Sequence, residues 1–411
     1  MTHSAISRRR MLQRSVCGVA ALGVGTAIPQ GFVAAAEDSE RANENVLVVI
    51  ELSGGNDGLN TVVPYSNEFY REARPNLSLG VDEVLKVDDN FGFHPSLRGV
   101  SDLLEQGQAS VVHAVGYENP NRSHFESMDI WHSCLRKGES RQDGWLGRYL
   151  EQRIASVGGD VPAIHLGHRQ QPFALESLNV RVPTVKELEA FRLLGDDSGG
   201  LRELLKPASA TVSESSTNEL LDFLQDSTRN AVSASRRVTD ATKDYQSATQ
   251  YPESQLAREL KVVAQLIDAE LSTRVYYLQL DGFDTHAQQP DAHAALLGQW
   301  SDAVAAFMND LNAQGHSDRV TVMTFSEFGR RVAENASSGT DHGAAGPMFF
   351  CGGKLQPGLI GQFSSLTDLQ QGDLKHHVDF RQVYATVLED WLGADSAAVL
   401  GKSYAGLPIF G

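Results

Sequence analysis

Six short runs dense in β-branched and aromatic residues punctuate the chain: Asn45–Leu52, Ser110–Val115, Pro162–Leu166, Arg274–Leu280, Arg319–Phe325 and Met348–Cys351. Each is short and apolar enough to be a buried strand of a sheet covered on both faces. Helical periods fall between and after them, at His124–Leu135, Trp145–Ile154, Ala287–Asn312 and Phe380–Trp391. Alternation of strand and helix predicts an α/β fold with a mostly parallel central sheet and helices on both faces. Gly195–Ser216, rich in Gly, Ser, Asp and Thr, predicts a loop or insertion. Two amphipathic patterns follow it, Asn218–Tyr245 and Glu253–Leu271, punctuated by Pro252. They predict a helical insertion over about 195–271, packed on the sheet as a hairpin or standing as a small cap.

The N-terminus has a different pattern. Ser7-Arg8-Arg9-Arg10-Met11-Leu12 precedes the apolar, glycine-rich run Val16–Ile28, too short to anchor in a bilayer. Val33-Ala34-Ala35-Ala36 then offers a small-residue cleavage site. Residues 1–36 therefore predict a twin-arginine signal peptide, with export to the periplasm or cell surface and a mature chain starting near Glu37. Proteins exported folded are commonly those whose metal or cofactor must be inserted first, because metal binding and folding are coupled. The remainder contains no apolar run long enough to span a membrane.

Charge and cysteine usage narrow the partners. The formal charge is −17, and removing residues 1–36 takes away four arginines and no acid, leaving −21. Such an acidic chain is ill suited to nucleic acid or an anionic lipid surface. Only Cys134 and Cys351 remain after cleavage, so at most one disulfide can form and core packing must hold the fold.

Residues able to bind metal or transfer protons cluster just after predicted strands, where parallel sheets place their ligand sites. Ser53-Gly54-Gly55-Asn56-Asp57-Gly58 follows the first strand; its glycines let the backbone turn and approach a ligand, and Asp57 is a hard carboxylate, although the same residues make a good plain turn. Arg122-Ser123-His124 enters a helix, where Ser123 and Glu126 have capping-box spacing and a hydroxyl would also meet an anion among free N–H groups. Asp281, Asp284 and His286 stand within six residues of one another. Glu327 and Arg330 have the spacing of a helical ion pair, and Asp341-His342-Gly343 puts two ligand types at one bend. His376 and His377 precede Asp379, a candidate cap for the last helix; one of the two histidines could close a metal site.

At these residues the chain resembles the bacterial exported family called domain of unknown function 1501, itself similar to the sulfatase and alkaline phosphatase superfamily. The resemblance runs through Gly54–Pro64, Gly92–Leu97, Arg122–Phe125, Gly144–Leu150, Asp281–His286, Ser326–Arg330, Thr340–Gly343 and Asp379–Leu388. It implies one alkaline phosphatase-like domain over 37–411. It also implies one or two divalent ions, Zn, Mn, Fe or Ca, beside a nucleophile at a helix N-terminus. Carried onto this chain, Asp57, Ser123, Asp341 and His342 would surround one ion, and Asp281 or Asp284, His286 and His377 the other. Ser123 would be the nucleophile, with Arg122 or His124 steadying the anion of a phosphate or sulfate ester. The sulfatase signature is missing, because Ser123 is followed by His124-Phe125-Glu126-Ser127 rather than by x-Pro-x-Arg. The resemblance thus leaves two readings: a metal-dependent hydrolase of small-molecule or glycan esters, and a non-catalytic relative that binds an envelope glycan or protein.

Overall fold

A computed structural model describes residues 44–153, 161–167, 170–185 and 245–411. The expected leader at 1–36, the polar stretch at 195–216 and nearly all of the pattern at 218–245 lie outside the described residues. Nine strands form the central sheet: β1 (Val46–Ser53), β2 (Ala109–Gly116), β3 (Ala163–Leu166), β4 (Thr184–Val185), β5 (Val275–Asp281), β6 (Val320–Phe325), β7 (Gly346–Gly352), β8 (Gly358–Ile360) and β9 (Val378–Asp379). Their order is β8-β2-β7-β6-β1-β5-β3-β4, with β9 also paired to β2. Every pairing is parallel except those of β7, which runs antiparallel between β2 and β6. The six expected strands are all present, each shifted by no more than two residues at either end.

Alternation along β1 explains how the sheet is covered. Val46, Val48, Ile50 and Leu52 enter one apolar core, and Leu47 and Val49 enter the other. Period two in a strand sends successive side chains to opposite faces, so a run that is apolar throughout must be buried on both. The helices α1 (Arg98–Glu105), α2 (His124–Ser133), α3 (Trp145–Arg153), α4 (Gln255–Asp268), α5 (Gln289–Gln314) and α6 (Phe380–Thr386) supply that cover. Residues of α1, α4 and α5 join the first core, and residues of α2, α3 and α6 the second. In α4, capped by the Ser254 hydroxyl, Leu256, Leu260, Val263, Ala264 and Ile267 recur at helical spacing and are buried. The second amphipathic pattern is therefore part of the central packing, not a separate cap.

Asp379 caps α6 with Gln382 as a complete capping box. Cys134 and Cys351 are both free and buried, one in each core on opposite sides of the sheet, so the one disulfide the sequence allowed does not form. No helix among the described residues is long and apolar enough to cross a membrane.

Candidate metal centre

Four loops that leave the carboxyl ends of parallel strands meet at one rim. The register pairs Ser53 with Asp281, so the segments after β1 and β5 leave the sheet side by side, and β6 ends at Phe325 opposite Glu51 of β1. Beyond β6, Arg330–Glu334 pairs antiparallel with Thr340–His342, with Arg330 opposite His342. That hairpin carries Asp341 and His342 to the loop holding Asp284 and His286, and α2 brings His124 to the same place.

The turn after β1 depends on two glycines. Gly54 has φ +121° and Gly55 φ +78°, conformations that residues with a Cβ avoid. A Cβ on Gly54 would lie 2.4 Å from the Asp284 backbone nitrogen, and one on Gly55 would lie 2.3 Å from the Phe328 ring. The close approach foreseen for these glycines is thus to the neighbouring loop and to Phe328.

His124, Asp284 and His342 each offer a ligand atom within 4.8 Å of the other two. His286 joins from the His342 side: its Nε2 lies 2.8 Å from His342 Nε2 and 3.0 Å from Asp284 Oδ1. Each imidazole turns its other nitrogen to an oxygen. His124 Nδ1 is 2.8 Å from Glu327 Oε1, His342 Nδ1 is 2.8 Å from the Arg122 carbonyl, and His286 Nδ1 is 3.3 Å from Asp341 Oδ1. Carbonyls and carboxylates only accept, so each Nδ1 donates; the Nε2 of His286 and of His342 also lies 3.0 Å from Asp284 Oδ1, where it donates when the ring is protonated and is the lone-pair atom when the ring is neutral. All three Nε2 atoms face Asp284. Its Oδ1 takes 2.8 Å hydrogen bonding from Arg330 Nη2, while Oδ2 lies 3.5 Å from His124 Nε2.

The charges follow from these contacts. Burial works to raise the Asp284 carboxyl, but hydrogen bonds from His342 and Arg330 outweigh it and bring it down to about 2. The hydrogen bond to Glu327 raises His124 against the opposing effect of burial. A hydrogen bond from Asn335, 3.2 Å away, lowers Asp341.

Several sequence-based assignments change. Asp57 is buried and is held by Arg74 Nη1 at 2.6 Å and Gln289 Nε2 at 2.5 Å, with no metal-capable side chain of the cluster beside it. Burial raises its carboxyl, and the Arg74 guanidinium more than offsets this, leaving it below the usual carboxylate range. Asp281 ends β5 and is outside the trio; His377 is exposed and its backbone N–H donates to Ala114 on β2, so it too is outside. Asp341 supports His286 instead of belonging to that trio. Ser123 is exposed at the N-cap of α2, but its hydroxyl makes no capping bond, and Glu126 pairs with Arg141 at 2.7 Å, so the capping box does not form. Arg122 is tied through Nε to Asp373 at 2.8 Å, which keeps its guanidinium on that buried carboxylate. Glu327 and Arg330 do not pair: Arg330 lies in a strand and donates to the Gly55 and Thr340 carbonyls and Asp284, and Glu327 binds His124. His124, expected to steady an anion, is instead one of the trio, and its Nε2 direction is a signal that only the fold contains.

The chain is thus a mostly parallel α/β protein with an imidazole and carboxylate cluster at the carboxyl rim of its sheet. It belongs to the family described as protein of unknown function (DUF1501), whose model matches residues 44–408. Among curated proteins none matches. Among solved structures it is similar to a protein in the alkaline phosphatase superfamily from Vibrio parahaemolyticus, with 9% identity and TM-score 0.38 over 88% of this chain and 69% of that one. It is also similar to the C-terminal periplasmic domain of EcEptC from Escherichia coli, with 11% identity and TM-score 0.37 over 90% of this chain and 91% of that one. The PsFucS1 sulfatase from Pseudoalteromonas sp. has 11% identity and TM-score 0.36 over 92% of this chain and 73% of its own. At such scores these likenesses carry no argument about the reaction.

Proposed function

We propose that this chain is an exported, metal-dependent hydrolase of phosphate or sulfate esters, acting in the periplasm or at the cell surface on a small-molecule or glycan ester. The observation that carries the reading is the set of three imidazoles whose Nδ1 atoms are held by oxygen acceptors while their Nε2 atoms face Asp284. An outer acceptor on the far nitrogen is the usual support for a metal-binding histidine. His124, His342 and Asp284 would hold the ion, with His286 beside them; mixed nitrogen and oxygen donors suit Zn, Mn or Fe. A bound divalent ion would polarise an ester oxygen and stabilise the charge that develops on it.

The chain's own groups supply the rest. Ser123 presents a solvent-exposed hydroxyl at the N-terminus of α2, one residue before His124, where backbone N–H groups of the first turn favour an anion. Arg330, buried and held by carbonyls on three sides, fixes the Asp284 carboxylate. Ser123 is the proposed nucleophile.

The test is elemental analysis of the purified mature protein with a screen on nitrophenyl phosphate, phosphodiester and sulfate substrates, with and without chelator. Stoichiometric metal and chelator-sensitive turnover that disappears in Ser123→Ala support the proposal. A folded, metal-free and inert protein would instead favour a glycan- or protein-binding relative.

A further inference from the structure

Glu327 is buried, with 1% of its side chain exposed, and lies against His124. Its carboxylate accepts from the Gly54 N–H at 2.9 and 3.2 Å and from the Gly55 N–H at 3.1 Å, and meets His124 Nδ1 at 2.8 Å. One side chain therefore joins the glycine turn after β1 to a proposed ligand on α2. Its own backbone carbonyl accepts from the Ser127 hydroxyl of α2 at 2.6 Å, a second tie between this loop and the same helix.

We infer that Glu327 is a positioning residue that fixes the His124 ring as its Nδ1–H tautomer and aims Nε2 at Asp284, using the Gly54–Gly55 turn as its anchor. The inference rests on the proposed metal reading only for its consequence in ion affinity; the tautomer is a property of the metal-free protein. A buried carboxylate needs several donors, and here two come from the backbone of the turn, so the acceptor facing His124 cannot rotate away without leaving those N–H groups unpaired. Orientation and protonation of the ring are thereby set together.

Glu327→Gln separates positioning from mere packing. The amide keeps the size of the carboxylate, and an oxygen at the Oε2 position can still accept from Gly55 and, by the longer contact, from Gly54, at the loss of the 2.9 Å Gly54 bond to Oε1. Its NH2 group then faces His124 Nδ1 as a donor, which demands the opposite tautomer and puts a proton on Nε2. The experiment is 15N NMR of histidine-labelled, metal-free full chain at about pH 9, where imidazoles are neutral, followed by Zn titration calorimetry. In the wild type, His124 should carry its proton on Nδ1. In Glu327→Gln it should move to Nε2, and Zn affinity should fall by about 10–100-fold, the usual cost of losing an outer partner, while the folded state persists. Wild-type His124 protonated on Nε2 would overturn the inference without recourse to any variant, even if Glu327→Gln failed to fold. An unchanged tautomer in a folded Glu327→Gln protein would overturn it equally. Wild-type protein that binds no Zn but shows the tautomer exchange would remove the metal reading and leave the positioning role standing.

Discussion

The Nε2 atoms of His286 and His342 lie 2.8 Å apart although 56 residues separate them in the chain, and both sit 3.0 Å from Asp284 Oδ1. Two ring nitrogens that each bear a lone pair repel at that distance unless a proton or a cation lies between them. Removing one ring should therefore weaken ion binding without harming the fold. His342→Ala is expected to reduce Zn affinity at least tenfold with little loss of stability, because the side chain is part-exposed. Calorimetric titration beside a thermal melt measures both quantities.

Asp57 gives the opposite expectation. Its carboxylate and Arg74 are a buried pair, 1% and 0% exposed. Arg74→Met leaves the carboxylate without its cation and should destabilise by about 3–5 kcal/mol, read from urea denaturation. Asp57→Asn should leave Zn affinity unchanged. A large loss of affinity in that variant would return Asp57 to the ligand set.

Ser123 makes no capping hydrogen bond, so Ser123→Ala should change stability by less than about 0.5 kcal/mol, well under the ~1 kcal/mol of a working cap. The same variant should abolish chelator-sensitive ester turnover. A stability loss comparable to that of a lost cap, with turnover intact, would make the residue structural.

Stability should fall as the solution is acidified from neutrality. Burial holds His94, His113, His165 and His293 down to about 4. In the unfolded chain the same rings titrate near 6.5, so below that pH the unfolded state takes up protons that the folded state refuses. The stabilisation is complete above about pH 6.5 and declines towards pH 4, with a slope of up to about 1.4 kcal/mol per pH unit for each ring. Denaturation midpoints at pH 7, 6 and 5 measure it, and His165→Asn should make the decline shallower.

Burial also pushes the thiols of Cys134 and Cys351 up to about 12. Neither should react with a thiol reagent in the folded protein, and both should do so in denaturant; peptide mass mapping distinguishes the two sites. Modification of Cys351 under native conditions would contradict its place in the sheet core.

The sequence by itself determined the strands and their two-sided burial, because a continuous apolar run such as Val46–Ile50 can be satisfied only between two helical layers. It also placed the helices, through spacing such as Leu256–Leu260–Ala264 and the Asp379 cap. The rim where chemistry collects was legible too, because loops after parallel strands share one edge, and Asp284, His286 and His342 were singled out there.

Only the tertiary structure decided how those polar residues are divided. Asp57 and Asp284 both follow glycine-rich strand ends, yet one is neutralised by Arg74, 17 residues away, and the other faces three imidazoles. Local sequence cannot distinguish them, since the partner that claims a carboxylate is chosen by which segments the fold brings within about 3 Å. For the same reason Glu327, spaced as an ion-pair partner of Arg330, is instead the acceptor for His124, and the hydroxyl of Ser123 is left free of the cap its spacing suggested.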